Sequence, residues 1–154
     1  MARLNTDPKV GRMVRMAVLI AIIVLLAFTP LGYLVIGPIA ATTIQMPVII
    51  GAVLLGPGAG AFLGGVFGLS AIVKVLTMPG ADVFATAVLT YSPLGYLFIC
   101  FVPRILMGWL SGLLAKFLGR VLGEKRSIIT YGVTGLVGSM LNTVLYLGAL
   151  WALA

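Results

Sequence analysis

The residue with the clearest chemical implication is Arg104, which lies inside an apolar segment typical of a membrane helix. The nearest acids along the chain are Asp82 and Glu124. A central arginine costs roughly 2.5–3.5 kcal/mol on insertion scales, so it usually faces a cavity or a partner. Because a guanidinium is always charged and its planar donors match a carboxylate, a ligand is one source of the missing anion. The alternative, in which Arg104 reaches the membrane interface or bonds a backbone carbonyl, stays open.

Few other polar side chains lie within the apolar segments, and three of them extend this candidate site. Thr43 and Gln45 open one apolar segment, and Asn142 lies in the middle of the last. Together with Arg104 they predict a site for a small molecule with one carboxylate and amide or hydroxyl groups. Interfacial placement of Gln45 and a bond between helices at Asn142 are the alternatives. The aromatic residues that would either wall this pocket or anchor helices at the interface are Tyr33, Tyr91, Tyr96 and Trp109.

The composition defines an integral membrane protein. The chain has 154 residues, of which 62% are hydrophobic and 8% charged, and its mean hydropathy is +1.24. Long apolar runs without an alternating polar face predict an all-α helical bundle, a single transmembrane domain over 1–154. With no histidine, one cysteine and three acids, the chain offers few general bases or metal ligands. We therefore predict no enzyme activity, no metal and no cofactor.

The net charge of +7 is concentrated beside two apolar segments. This distribution follows the positive-inside rule and argues against nucleic-acid binding. It predicts a multi-pass protein of the cell membrane with a cytoplasmic N-terminus. The lipid bilayer then surrounds the transmembrane helices. Attraction of anionic lipid is a second consequence. The basic residues concerned are Arg3, Lys9, Arg12 and Arg15 before the first segment, and Lys116, Arg120, Lys125 and Arg126 around a later loop.

The hydropathy pattern predicts about five transmembrane helices. They are expected at 11–28, 43–56, 58–76, 96–118 and 128–152. Loops are expected at 29–42 and 77–95, both external, with a tight internal turn at 56–58 and a basic internal loop at 119–127. Long uncharged external loops are typical places for ligand binding.

Small residues recur at a spacing of four, which allows another helix to approach closely. The pairs and triplets are Gly60, Gly64 and Gly68; Gly108 and Gly112; Gly135 and Ser139; and Ala17 and Ala21. Packing within the bundle is the ordinary interpretation. For Ala17 and Ala21, on the first predicted helix, docking of a partner protein is the alternative, which the spacing alone favours less than packing.

Two stretches carry a resemblance to a known family. Residues 43–52 and 55–69 (TIQMPVIIGA and LGPGAGAFLGGVFGL) resemble the substrate-binding S component of an energy-coupling factor (ECF) vitamin transporter. Residues 102–108 and 138–145 (VPRILMG and GSMLNTVL) resemble the pantothenate branch of that family.

This resemblance implies a function. Such S components bind a vitamin from outside and deliver it by docking on a membrane coupling protein driven by two cytosolic ATPases. Ala17 and Ala21 match the family's Ala-x-x-x-Ala docking motif. Arg104 and Asn142 match positions that contact substrate in the pantothenate branch, and Gln45 is a further candidate. Pantothenate, a small anionic vitamin with one carboxylate, one amide and two hydroxyls, fits the polar set.

One feature departs from the family pattern. The family has six helices, whereas five are counted here, so the last helix is expected to be missing; a miscount of the helices is the alternative. An S component for another small vitamin or precursor is the first alternative. A membrane channel or exporter unrelated to ECF transporters is the second, but it predicts a continuous polar stripe where only isolated polar residues are seen.

Overall fold

The computed structural model describes residues 7–29, 33–36, 39–78, 80, 83–122 and 127–153. Within these residues the chain forms six α-helices and one β-hairpin. In chain order they are α1 (Pro8–Phe28), β1 (Tyr33–Ile36), β2 (Ile39–Thr42), α2 (Gln45–Leu55), α3 (Pro57–Thr77), α4 (Val83–Tyr91), α5 (Pro93–Leu122) and α6 (Ser127–Leu153). Four of the described helices, α1, α3, α5 and α6, are long and apolar enough to cross a membrane. The predicted all-α membrane bundle is therefore confirmed.

The two ends of the bundle have different connections. At one end, here called the hairpin end, lie the antiparallel strands β1 and β2 and the short helix α4. At the other end, here called the turn end, α2 passes into α3 at Gly56. The last residue of α5 and the first residue of α6 are also at this end. Gly56 has φ +98°, which glycine adopts without a steric penalty. Its N–H donates to the Ala52 carbonyl at 3.1 Å, and its carbonyl accepts from the Gly60 N–H at 3.1 Å.

The centre of the bundle is the antiparallel pair α3 and α5, which touch backbone to backbone. A Cβ atom at Gly60 would overlap the carbonyl of Gly108, and one at Gly64 would overlap the carbonyl of Arg104. At Gly68 it would lie 2.9 Å from the Cys100 carbonyl oxygen. The predicted close approach along these glycines is therefore confirmed, and it fixes where Arg104 sits relative to α3.

Two apolar clusters fill the spaces around this pair. The larger one brings together α1, α2, α3 and α5; its buried members are Ile23, Ala27, Ile44, Val48, Leu63, Phe67 and Met107. The smaller one lies toward the hairpin end and contains Val75, Ala85, Tyr96 and Cys100. Helix α6 packs mainly on α5 and also contacts α2. Four elements, α2, α3, α5 and α6, thus converge in one region.

Two predicted loops contain regular structure. The segment 77–95 holds α4, and the segment 29–42 holds the hairpin. Helix α4 has only 9 residues, too few to give the long apolar run by which the other helices were identified. With α4 included, six helices lie within the described residues, but α4 is too short to cross a membrane. The expectation of a further membrane helix stays a prediction.

The five predicted apolar helices are present, and the second of them is the shortest. Helix α2 has 11 residues, a length of about 16 Å, whereas a bilayer core is about 30 Å thick. It therefore crosses only part of the membrane, with its first turn inside the bundle.

The small-residue prediction for the last helix was wrong at one position. Among the described residues, a Cβ at Gly135 would meet nothing within 4 Å. The close approach occurs at Gly138, beside Ser111 and Ile49.

Candidate functional site

A polar network joins α2 to α6 inside the bundle. Gln45, the first residue of α2, donates from Nε2 to the Ser139 hydroxyl oxygen at 2.5 Å. Its Oε1 accepts from Asn142 Nδ2 at 3.3 Å. Ser139 and Asn142 are three residues apart and so share one face of α6. Both interpretations of the sequence, a ligand contact and a bond between helices, remain compatible with this arrangement.

The network keeps hydrogen-bonding capacity for a ligand. All three side chains are half-buried. Within the described part of the chain, the Oδ1 atom of Asn142 has no hydrogen-bond partner, and the Nε2 and Nδ2 groups each use one of two N–H donors. The network therefore offers an acceptor and donors to an amide or hydroxyl group.

Arg104 lies on the face of α5 that meets α3. Its guanidinium carbon is 4.4 Å from the centroid of the Phe67 ring, a cation–π distance. Its Nη1 donates to the Cys100 carbonyl oxygen at 3.3 Å, one turn back along the same helix. Since Phe67 is only 1% exposed, the aromatic ring is a fixed platform under the cation. These contacts leave most of the five N–H donors of the guanidinium available.

The charge of Arg104 has no acidic counterpart among the described residues. The only acid described is Asp7, just before α1, while Asp82 and Glu124 lie outside the described residues. The contact with Gly64 places the Arg104 backbone about 10 Å along α3 from Pro57 and about 20 Å from Thr77. The cation therefore lies within the membrane span, where an uncompensated charge is costly.

Arg104 and the amide network border the same apolar cluster. Phe67, which carries the guanidinium on its face, belongs to the cluster that contains Ile44, the residue before Gln45. Among the described residues, no direct hydrogen bond joins Arg104 to Gln45 or Asn142. The structure thus supplies a cation and an amide pair on neighbouring helices, not a closed network.

The other predicted site residues lie apart from this network. Thr43 is half-buried in the turn before α2, and its carbonyl accepts from the Met46 N–H at 3.1 Å. Tyr91, at the end of α4, is 89% exposed. Tyr96 is 4% exposed within the smaller apolar cluster. Trp109 is exposed, and the Tyr33 side chain lies outside the part of the structure that is described.

Sequence reasoning missed two contributors to the site. Ser139 was interpreted as a packing residue, although its position one turn before Asn142 was the available signal. Phe67 was not singled out. Its position three residues after Gly64 places it on the glycine face of α3, toward α5, but an aromatic residue there is ordinarily a core residue.

Ala17 and Ala21 lie on the outer face of α1. Both are exposed, and they line a shallow, almost entirely apolar groove. The other residues of this groove are Ile20, Val24, Leu25, Phe28 and Thr29. Neither alanine is used for packing in the larger cluster, which takes Ile23 and Ala27 from α1. A smooth exposed strip of this kind is available to a second helix.

These groups comprise one cation and several hydrogen-bond donors and acceptors. Within the described residues, no group of three or more His, Cys, Asp or Glu side chains is placed to hold a metal ion. What the region offers is a cation on an aromatic face, amide donors and acceptors, and hydroxyls, all inside a bundle of membrane helices.

Such a fold defines a multi-pass membrane protein with polar side chains inside its helical bundle. The sequence profile of the family described as "ECF transporter, substrate-specific component" matches residues 11–154. The chain belongs to this family, and the resemblance seen in the sequence is confirmed.

Two curated relatives are similar to the chain. It is 37% identical over 121 residues to the "Pantothenic acid transporter PanT" of Lactococcus lactis subsp. cremoris, an alignment that covers 74% of this chain and 58% of that protein. It is 32% identical over 119 residues to the "Pantothenate transporter PanT" of Leuconostoc mesenteroides subsp. mesenteroides, covering 77% and 54% respectively. The chain thus spans little more than half the length of these relatives.

Proposed function

We propose that the chain is the vitamin-binding membrane subunit of an ATP-driven ECF importer and that its substrate is pantothenate. The observation that carries this proposal is Arg104. It is a half-buried cation within the membrane span, held on the Phe67 ring, with no acid beside it among the described residues. A ligand carboxylate would neutralise the charge of Arg104 through a charge-assisted, bidentate hydrogen bond.

The rest of the site matches the remainder of pantothenate. Besides its carboxylate, this vitamin has one amide and two hydroxyls, each able to donate or accept. The free Oδ1 of Asn142 and the spare N–H donors of Gln45 and Asn142 suit such groups. A ligand that joins the cation to the amide pair would cover part of the exposed surface of both.

Membership in the ECF substrate-specific family supports the coarser part of the proposal, a subunit for vitamin uptake. The names of the two relatives support the choice of pantothenate. Riboflavin has no carboxylate, so it would leave Arg104 without its partner. For this reason pantothenate accounts for more of the site than riboflavin does.

The proposal includes an orientation. Most basic residues that the structure describes lie at the turn end: Lys9, Arg12, Arg15, Lys116 and Arg120. By the positive-inside rule that end is cytoplasmic and the hairpin end is external. Substrate would then enter from the hairpin end, the end of the bundle at which α2 begins with Gln45.

Delivery would follow docking on a membrane coupling protein with two cytosolic ATPase subunits. The exposed alanines Ala17 and Ala21 on α1 are the proposed contact. Small side chains allow close helix approach, and the surrounding groove is apolar enough for a contact inside the membrane.

Calorimetric titration of the purified protein with pantothenate, riboflavin, biotin and folate tests the substrate. Saturable binding of pantothenate alone, at one site per chain, is the expected result. Binding of biotin or folate in preference to pantothenate would keep the carboxylate site but favour an S component for another vitamin. Riboflavin binding without pantothenate binding would contradict the role given to Arg104.

A further inference from the structure

A second cavity lies at the turn end, away from the vitamin site. It has a volume of about 610 Å³ and is bounded by the start of α1, the α2–α3 junction, the last turns of α5 and the first turns of α6. Its lining includes Arg12, Leu54, Gly58, Lys116 and Tyr131. None of the proposed vitamin contacts is among its lining residues, so the proposed function does not account for it.

The electrostatics of this cavity favour an anion. Arg12 and Lys116 both line it, and none of its described lining residues is acidic. Helix α3 also begins here, and its first turn has no side-chain cap. The N–H groups of Gly58 and Ala59 have no partner within the helix, so they add partial positive charge. Two cations and a helix start in one cavity match a phosphate group.

One contact orients the arginine toward the helix start. Arg12 Nη2 donates to the Leu55 carbonyl oxygen at 3.4 Å, which connects α1 to the last turn of α2. This carbonyl belongs to the residue just before Gly56, the junction with α3. The guanidinium is therefore placed beside the uncapped turn, with other N–H donors remaining.

The apolar part of the lining favours a lipid over a free ion. Leu54 is 58% exposed and Tyr131 is 49% exposed, although both border a cationic cavity. Exposed apolar side chains of this kind suit an acyl chain, and the cavity lies at the ends of membrane-spanning helices, at headgroup level. A free phosphate would use the cations but gain nothing from these apolar neighbours.

We propose that this cavity binds the phosphate headgroup of an anionic phospholipid, with Arg12 and Lys116 as its cationic ligands and Leu54 and Tyr131 beside the first part of an acyl chain. The lipid would belong to the leaflet at the turn end. It would join α1, α3 and α5 at the end opposite to the hairpin, without touching the vitamin site.

The test compares two pairs of substitutions on the same two helices. Arg12→Gln with Lys116→Gln removes the cations of the cavity. Arg15→Gln with Arg120→Gln removes the same charge from α1 and α5 at exposed positions outside the lining. Each purified protein is titrated with phosphatidylglycerol and with phosphatidylcholine, and bound lipid is counted by native mass spectrometry.

For the unmodified protein we expect one retained phosphatidylglycerol and no retained phosphatidylcholine. The cavity pair should weaken phosphatidylglycerol binding about tenfold or more, and the control pair about twofold or less. Equal losses in the two pairs, or equal retention of the two lipids, would overturn the proposal, because only unspecific surface attraction would then remain. If the cavity pair fails to fold, Arg12→Gln alone against Arg15→Gln alone gives the same comparison.

Two further arms separate the remaining outcomes. Inorganic phosphate at millimolar concentration should not displace the lipid; displacement would assign the cavity to free phosphate and contradict the lipid proposal. Pantothenate titration of the cavity pair should give the same affinity as the unmodified protein. Because lipid binding and vitamin binding are measured separately, failure of the lipid proposal can be distinguished from failure of the proposed function.

Discussion

Asn142 on α6 donates its side-chain N–H to the Gln45 oxygen at the first residue of α2, across 3.3 Å. The partner bond from Gln45 to Ser139 makes α2 and α6 a single polar unit at this level. A short helix that starts inside the bundle would otherwise expose an unpartnered amide. The pair therefore serves as a bond between helices, and in the proposed function it is also the surface that meets the ligand amide.

The first prediction concerns this pair. Gln45→Leu or Asn142→Leu should weaken pantothenate binding about three- to tenfold, because each removes neutral hydrogen bonds to the ligand and to the other amide. The double variant should lose less than the sum of the two single losses, since the side chains depend on one another. Calorimetric titration measures all three.

Thr143→Val is the matched control for that series. Thr143 is exposed, and among the described residues its hydroxyl bonds only the Ser139 carbonyl of its own helix, at 3.1 Å. Its substitution should leave pantothenate affinity unchanged. A loss equal to that of Asn142→Leu would contradict a specific role of the amide pair in binding. Strictly additive losses in the double variant would show that the two side chains act independently.

The second prediction concerns the contact between α3 and α5. Gly64→Ala should destabilise the protein by about 1–3 kcal/mol, because the new methyl group overlaps the Arg104 carbonyl and the helices must separate. Gly135→Ala, which meets no neighbouring atom, should be neutral or slightly stabilising. Thermal unfolding in detergent distinguishes them, and equal melting temperatures would contradict the packing described here.

The third prediction concerns a buried hydroxyl. Thr134 is fully buried, and among the described residues its hydroxyl has no hydrogen-bond partner. Thr134→Val keeps the shape and removes the unpaired group, so stability should rise by about 1 kcal/mol. Ser70→Ala is the control, since the Ser70 hydroxyl donates to the Phe67 carbonyl at 2.8 Å and its loss should be mildly destabilising. A lower melting temperature for Thr134→Val would indicate a bound water or another partner at this hydroxyl.

The fourth prediction separates binding from delivery. Ala17→Leu with Ala21→Leu should leave pantothenate affinity intact but abolish uptake of labelled pantothenate in cells that supply an ECF energising module. The larger side chains fill the groove that a partner helix would enter. Val18→Leu, at an exposed position of α1 outside the groove, should retain uptake. Normal uptake in the variant with Ala17→Leu and Ala21→Leu would show that docking does not use this face of α1.

The sequence predicted the long helices well because each has a continuous apolar run, and α1, α3 and α5 also begin at a proline. It failed for α4, whose 9 residues are apolar but lie between turn residues and are too few to form a long apolar run. It also failed for the β-hairpin at Tyr33–Ile36 and Ile39–Thr42, whose apolar residues carry no helical period. Short elements depend on the packing around them, which a single sequence does not reveal.

The site was predicted unevenly for a similar reason. Arg104 and Asn142 were recognisable because a charge or an amide inside an apolar helix is costly and needs a partner. Phe67 was not, since only the geometry distinguishes a ring beneath a guanidinium from an ordinary core aromatic. The glycine register that brings α3 and α5 together was visible as spacing, but its pairing, Gly64 with Arg104, required the structure.

The most direct test of the central claim is the affinity of the unmodified protein and of Arg104→Ala for pantothenate and for pantothenol, in which a hydroxymethyl group replaces the carboxylate. The unmodified protein should bind pantothenate more tightly than pantothenol. Arg104→Ala should weaken pantothenate binding about 10- to 100-fold, the value of charge-assisted hydrogen bonds, and leave pantothenol binding nearly unchanged. Full pantothenate affinity in a folded Arg104→Ala protein would contradict the account.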